Sequence, residues 1–306
     1  MLSKPPESNP DVPFTRRGFA LTLLTRTGNP SQLVRSLYLS PKAVPHAMLS
    51  GDEAEAVGEE LGIERVDPSY FFTEQRWKEH RRGLGLPDEP YPPGQSPSKD
   101  DPLEPLDQMP TGTVGAVALD YHGCIASVTS TGGKTNKMVG RIGDTPQMGS
   151  GFWAEGWKEE RLFKKMLNKL HGRHQTRAIG VSGTGDGDVN LLLRYCSMFT
   201  AEESVAQYFI RLATCSTIAR RVKFKGESIK TASEACVEDL RRDGGLGGVI
   251  VLDERGNCES FRSSFNDSSD PIFADAMPLN CEGMYRGVIE EGGDAKVAIF
   301  HDDVLA

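Results

Sequence analysis

Three things are scarce in this sequence, and each absence excludes a class of protein. Basic residues do not prevail: 35 Lys and Arg stand against 43 Asp and Glu, a net charge of −8 over 306 residues. A general nucleic-acid binder needs a basic face, so no nucleic-acid partner is expected. A small anionic substrate reads only the local field and is still admitted. The six cysteines (Cys124, Cys196, Cys215, Cys236, Cys258, Cys281) are scattered and form no CxxC. They read as reduced thiols of a cytoplasmic protein, not as a disulfide framework. Long apolar runs are missing too, and none approaches the roughly 20 residues of a membrane span. Arg16-Arg17 ahead of Gly18-Phe19-Ala20-Leu21-Thr22-Leu23-Leu24 imitates a signal peptide. Its apolar core is shorter than the roughly 7–15 residues required, and Arg26 follows at once. A soluble chain with no membrane partner and no visible address is expected.

Metal and phosphate signatures are also absent. Ser182-Gly183-Thr184-Gly185-Asp186-Gly187 lacks the Gly-Lys-Ser/Thr of a P-loop. Asp186-x-Asp188-x-Asn190 hints at a calcium loop, but Leu191 stands where glycine is needed and Ser197 where glutamate is needed. His171-x-x-His174 has no partner ligands at zinc spacing and reads as two exposed residues on a charged helix end. No metal and no cofactor is expected.

What is present is a mixed pattern of strands and helices, long enough for a sizeable core in one large domain or two. Residues 1–14 are Pro-rich and polar and predict disorder. A short strand is expected over 19–24, then a helix over 32–39 with Ser31 as N-cap. A second helix is expected over 52–61, its first turn acidic. Residues 82–110 have linker composition. The segments 115–120 and 124–130 predict a hairpin turned at Tyr121-His122-Gly123. A charged helix is expected over 155–173, and a strand over 176–182. Helices follow over 188–198, 202–222 and 228–242. In the middle one, Val205, Tyr208, Phe209, Leu212, Cys215 and Ile218 recur at helical spacing and read as core. Strands over 247–253 and 295–300, with a turn at 254–257, complete an α+β pattern.

Four motifs, in order, carry the functional signal. Thr111-Gly112-Thr113-Val114-Gly115-Ala116-Val117-Ala118-Leu119-Asp120 ends the linker and opens a strand. Glycine before threonine there suggests cleavage that frees a threonine α-amine, a general base for its own hydroxyl. Thr129-Ser130-Thr131-Gly132-Gly133 follows, then Gly140-Arg141-Ile142-Gly143-Asp144-Thr145-Pro146, then the Ser182 to Gly187 stretch. Together these resemble the plant-type L-asparaginase/isoaspartyl peptidase family, the self-cleaving N-terminal-nucleophile hydrolases. The likeness covers most of the chain from Gly112 on, with insertions near 155–175 and 259–277, and more weakly 19–78. The 278–287 segment resembles a family stretch close to the substrate cleft.

The resemblance implies a four-layer αββα sandwich. It implies a partial α-subunit over 15–81, a flexible linker over 82–112 ending at the cleavage site, and a β-subunit over 113–306. The family opens with a His-Gly-Gly strand, a helix and a glycine-rich loop. None is found, so the sandwich is expected to be incomplete at its N-terminal side, with an edge strand uncovered.

The resemblance also assigns roles. Thr113 is the nucleophile, and Gly112 supplies the carbonyl it attacks, being free to take a strained conformation. Thr131 orients and activates Thr113. Arg141 grips the substrate α-carboxylate with its fork, and Asp144 accepts from the α-ammonium. Thr184 and Gly185 form an oxyanion hole, and Gly187 keeps the turn open. By themselves these residues are ordinary: a threonine starting a strand, a surface ion pair, a small-residue turn. The implied reaction is hydrolysis of the side-chain amide of asparagine and of β-aspartyl peptides, by a homodimer of cleaved protomers. Glycosylasparagine cleavage, threonine endopeptidase action and a non-catalytic homologue stay open as alternatives.

Overall fold

The computed structural model describes residues 1–87, 112–157, 177–185, 207–243, 245, 247–262, 283–289, 293–294 and 296–300. They divide into two compact units. The first comprises Met1–Lys4, Gly115–Val128 and Gln147–Ala306, the second Pro5–Val114 and Thr129–Pro146.

The first unit is organised by one strand. In a four-stranded sheet, β5 (Phe152–Gly156), β6 (Ala178–Thr184), β7 (Gly248–Asp253) and β8 (Cys258–Arg262) lie in that order, each pair antiparallel. Every β6 residue except Thr184 is buried. Strand alternation sends its side chains to two faces. Ile179 and Val181 join a cluster with Phe209, Ile218 and Leu240. The other face is small: a Cβ on Gly180 would lie 2.4 Å from Ile125 Cγ2. Ser127 Oγ donates to the Val181 carbonyl at 2.6 Å. The hairpin of β3 (Val114–Leu119) and β4 (Ile125–Ser130) therefore settles closely onto that face.

Helices cover the opposite face. The helix expected over 202–222 is interrupted. α4 (Tyr208–Leu212) ends where Ala213 turns left-handed at φ 47°, α5 (Thr214–Arg220) restarts, and Arg221–Lys225 widens into a π turn closed by Gly226. The break lets Phe209 and Cys215 both reach the β6 face, where a Cβ on Gly183 would touch each within 3.0 Å. A continuous period cannot show such a break. α6 (Ile229–Arg242) matches its expectation, with the Ser228 hydroxyl accepting from Thr231 N–H at its start. Burial pushes the Cys236 thiol up to about 11, which keeps it protonated and inert. Cys124, Cys215 and Cys236 are free thiols.

Glu155 belongs to β5, opposite Ile179, and not to a helix. Phe152 and Ala154 are buried with less buried residues between them, a period of two that charge content hides. Glu155 instead accepts from Trp153 Nε1 at 3.3 Å and pairs with Lys223. Residues 158–173 of that expected helix, and the expected helix over 188–198, lie outside the described residues. β9 (Gly283–Val288), not foreseen, pairs antiparallel with β10 (Lys296–Phe300). β8 occupies the start of the stretch read as an insertion near 259–277. Residues 1–14 also differ from expectation at their start. Ser3 N–H donates to Ile125 O at 2.8 Å, Ser127 N–H to Met1 O at 2.9 Å, and Gly156 N–H to Ser3 O at 3.0 Å. Met1–Lys4 thus covers backbone groups along β4 that would otherwise stand as an open edge.

In the second unit, β1 (Ala20–Thr22) pairs parallel with β2 (Met48–Ser50). α1 (Pro30–Leu39) is capped by Asn29, whose Oδ1 accepts from Gln32 N–H at 3.0 Å, not by Ser31. Pro30 then takes the first helical position, where its missing N–H costs nothing. The Arg16 that imitated a signal peptide is buried at the far end of α1. It donates to Leu37 O at 2.8 Å, Tyr38 O at 2.9 Å and His46 O at 3.1 Å, satisfying carbonyls the helix leaves open. α2 (Gly51–Glu60) turns Glu55 inward. Its carboxylate accepts from Thr25 N–H at 2.9 Å, Arg26 N–H at 2.7 Å and Thr27 Oγ1 at 2.9 Å. α3 (Glu74–Gly83), capped by Thr73, reaches into the stretch whose composition reads as linker. Among the described residues, no helix is long and apolar enough to cross a membrane.

Candidate active site

The second unit holds most of the residues singled out by sequence. Gly112 and Thr113 lead into β3, and Thr131 follows the last residue of β4. The hairpin closes at the other end, where Asp120 N–H donates to Cys124 O at 3.0 Å. Thr113 and Thr131 therefore share the end of the hairpin opposite its turn. Thr113 is half-buried and Thr131 exposed. The Thr131 hydroxyl accepts from Gly133 N–H at 3.1 Å, a local turn typical of threonine. Gly112 does not take a positive φ, and a Cβ there would meet open space. The strain that glycine would permit at this position is not used in the continuous chain.

From Thr131 the chain runs through a loop without regular structure to Asp144. Lys137 Nζ donates to Gly132 O at 2.9 Å, and Arg141 N–H to Met138 O at 3.0 Å. Arg141 and Asp144 are both half-buried in this loop. The Arg141 guanidinium lies back over Gly143, where a Cβ would come within 2.9 Å of Nη1. Thr145, next in the chain, is buried.

The first unit carries the other two that are described, Thr184 and Gly185. Thr184 is the last residue of β6, opposite Gly248, and Gly185 follows it exposed. Just before them, Gly183 N–H donates to Gly151 O at 2.9 Å, and Ser216 N–H donates to Gly149 O at 2.8 Å. These bonds tie the turn before β5 to both β6 and α5. Gly187 lies outside the described residues. Among the described residues, no group of His, Cys, Asp and Glu could hold a metal ion.

Sequence reasoning passed over Thr135 and Asn136, inside the same loop. Asn136 takes φ 57°. Asparagine tolerates that region better than most residues, so an Asn two residues beyond a Gly-Gly-Lys step is a turn signal that was there to read. Both residues are bonded from α3. Arg76 Nη1 donates to Thr135 Oγ1 at 3.2 Å, and Asn136 Nδ2 donates to His80 O at 3.0 Å.

Comparison with known proteins bears directly on these residues. The family described as Asparaginase matches residues 15–157, which include Gly112, Thr113, Thr131, Arg141 and Asp144. The chain is 31% identical to the isoaspartyl peptidase of Escherichia coli K12 over 263 residues, covering 84% of this chain and 61% of that protein. It is 30% identical to the isoaspartyl peptidase of Salmonella typhimurium over 262 residues, 84% of this chain and 63% of that protein. It is 27% identical to the isoaspartyl peptidase/L-asparaginase of Xenopus laevis over 269 residues, 88% of this chain and 68% of that protein. The chain thus spans less than two thirds of the length of the bacterial relatives. With the motifs in order and these likenesses over most of its length, the chain is similar to the L-asparaginase/isoaspartyl peptidases.

Proposed function

We propose that this chain is a self-cleaving threonine amidohydrolase acting on asparagine and β-aspartyl peptides. The observation that carries the reading is the hairpin. Counted in register from the Asp120–Cys124 bond, Val114 falls opposite Ser130 and Thr113 opposite Thr131. Thr113 and Thr131 then stand at one strand end, and the loop with Arg141 and Asp144 runs on from Thr131. The relatives named as isoaspartyl peptidases lend the substrate class.

In the precursor, the Thr113 hydroxyl attacks the Gly112 carbonyl. The peptide C–N bond breaks as an ester forms, and water opens the ester. Gly112 is left as a carboxylate and Thr113 as a free α-amine. That amine has an ordinary pKa of about 7.7–8.0, close to neutral, and suits a general base. In turnover it takes the hydroxyl proton while the oxygen attacks the substrate side-chain amide. The proton passes to the leaving nitrogen, which departs as ammonia or a peptide amine, and water hydrolyses the acyl-enzyme. Arg141 holds the α-carboxylate with two parallel N–H bonds and Asp144 accepts from the α-ammonium, so only a free aspartyl end fits. The Thr184 hydroxyl and Gly185 N–H receive the oxyanion.

We read the fold as the four-layer αββα sandwich, of which the first unit supplies the hairpin, the four-stranded sheet and one helical layer. A homodimer of protomers cut into 1–112 and 113–306, working without cofactor in a reducing cytoplasm, completes the reading.

The test is intact-mass measurement and N-terminal sequencing of the expressed full chain, with assay on a β-aspartyl dipeptide. The expected outcome is two fragments, one beginning at Thr113, and hydrolysis of the dipeptide. Thr113→Ala should remain one chain and be inactive. A new terminus anywhere else would sink the assignment of the nucleophile.

A further inference from the structure

We propose that α3 and the turn at Thr135 and Asn136 form a polar clasp that positions the 131–144 loop from the other side of the Gly112–Thr113 step, with Arg76, His80 and Asn136 as positioning residues. Its consequence for turnover rests on the amidohydrolase reading above; the clasp itself does not.

α3 buries no residue. A polar helix of 10 residues is marginal alone, and α3 is half-buried from Glu74 to Arg81, so tertiary contacts hold it. The loop is in the same condition: from 131 to 140 every residue but Thr135 is exposed. Each supplies what the other lacks. Arg76, itself oriented by an ion pair to Glu79 at 2.7 Å, donates to the Thr135 hydroxyl. Asn136 is held twice by one residue: its Nδ2 donates to His80 O, and its Oδ1 meets His80 Nδ1. An amide oxygen only accepts, so the His80 proton lies on Nδ1 in this bond. Gly83 completes the fit, because a Cβ there would stand 2.2 Å from Asn136 Nδ2.

Asn136 sits midway between Thr131 and Arg141 in the chain. A restraint there fixes both ends of the loop at once. The clasp joins residues before Gly112 to residues after Thr113 without passing through the bond between them. Cutting that bond removes the chain connection and leaves the clasp, so the loop stays registered in the cleaved protein.

Hydrogen exchange of the full chain reads the clasp without needing activity. Asn136→Gly keeps the left-handed backbone and deletes both bonds. His80→Ala deletes the ring bond, and His80→Asn restores a donor where Nδ1 stood. Gly83→Ala keeps the partners but pushes them apart. The amides of Gly133 and Arg141 should exchange about three- to ten-fold faster in the first, second and fourth variants and recover in His80→Asn. With a β-aspartyl dipeptide, the same three variants should raise KM several-fold more than they lower kcat. Wild-type exchange at Gly133 and Arg141 in Asn136→Gly would overturn the clasp. Faster exchange with an unchanged KM would overturn its role in substrate positioning. If the wild-type chain neither cuts itself nor hydrolyses the dipeptide, the amidohydrolase reading falls, and exchange alone decides the clasp.

Discussion

β6 and the 131–144 loop each carry residues proposed for the same reaction, and they hold them by different physics. β6 is buried on both faces, with Ile179 and Val181 in an apolar cluster and Gly180 and Ser182 under the hairpin. Thr184 ends this strand, so its backbone is held by the packed sheet, and Gly185 follows it directly. The loop has almost no buried side chain before Arg141 and is shaped by hydrogen bonds and by turns at Gly133, Asn136 and Gly140. A group that must stabilise a developing charge needs a fixed place at no further cost. A group that must admit, grip and release a substrate needs a place that can loosen. The two regions match those two demands.

The contrast can be broken most forcefully on the β6 side. Phe209 is 2% exposed and packs against the face that holds Val181. Phe209→Ala should cost about 3–5 kcal/mol by denaturant unfolding. A loss below about 1 kcal/mol would mean that packing does not hold the β6 face.

A middle-sized effect tests the polar mode of construction on a buried group of the second unit. Burial by itself would raise the Glu55 carboxyl, but hydrogen bonds from Arg26, Thr27 and Thr25 outweigh it and hold it below the usual carboxylate range. A depressed acid binds its proton later in the folded state than in the unfolded state. Its contribution is therefore full above the ordinary value of about 4.3 and is lost as the pH falls through the folded value. Unfolding midpoints from about pH 6 down to pH 3 should show wild type losing stability faster than Glu55→Gln in the acid limb. Parallel curves would remove Glu55 as the source.

The smallest effect sharpens the comparison from the loop side. Val139 is fully exposed. Val139→Ser should change stability by less than about 0.5 kcal/mol. A cost above about 1 kcal/mol would show that the loop is held by apolar cover after all, and the contrast with β6 would close.

Where a local period exists, the elements are legible in the sequence. The hairpin around Tyr121-His122-Gly123, α6 behind Ser228 and the β7 turn at Glu254 to Asn257 lie within a residue or so of expectation. β5 is not legible, because Trp153, Glu155 and Gly156 make a buried edge look like the start of a charged helix. α3 is not legible either, because it has no apolar stripe and its neighbours have linker composition.

For the site, sequence alone determined residue types and order: a Gly-Thr step, a Thr-Gly-Gly turn, an arginine three residues before an aspartate, and the family they resemble. These are local chemistry and survive in one dimension. Only the tertiary structure decided that Arg16 closes a helix and that α3 reaches Thr135 and Asn136 in the loop. Both depend on hydrogen bonds between residues more than 15 positions apart. Such bonds form where packing delivers the partners, and no periodicity along the chain records that delivery.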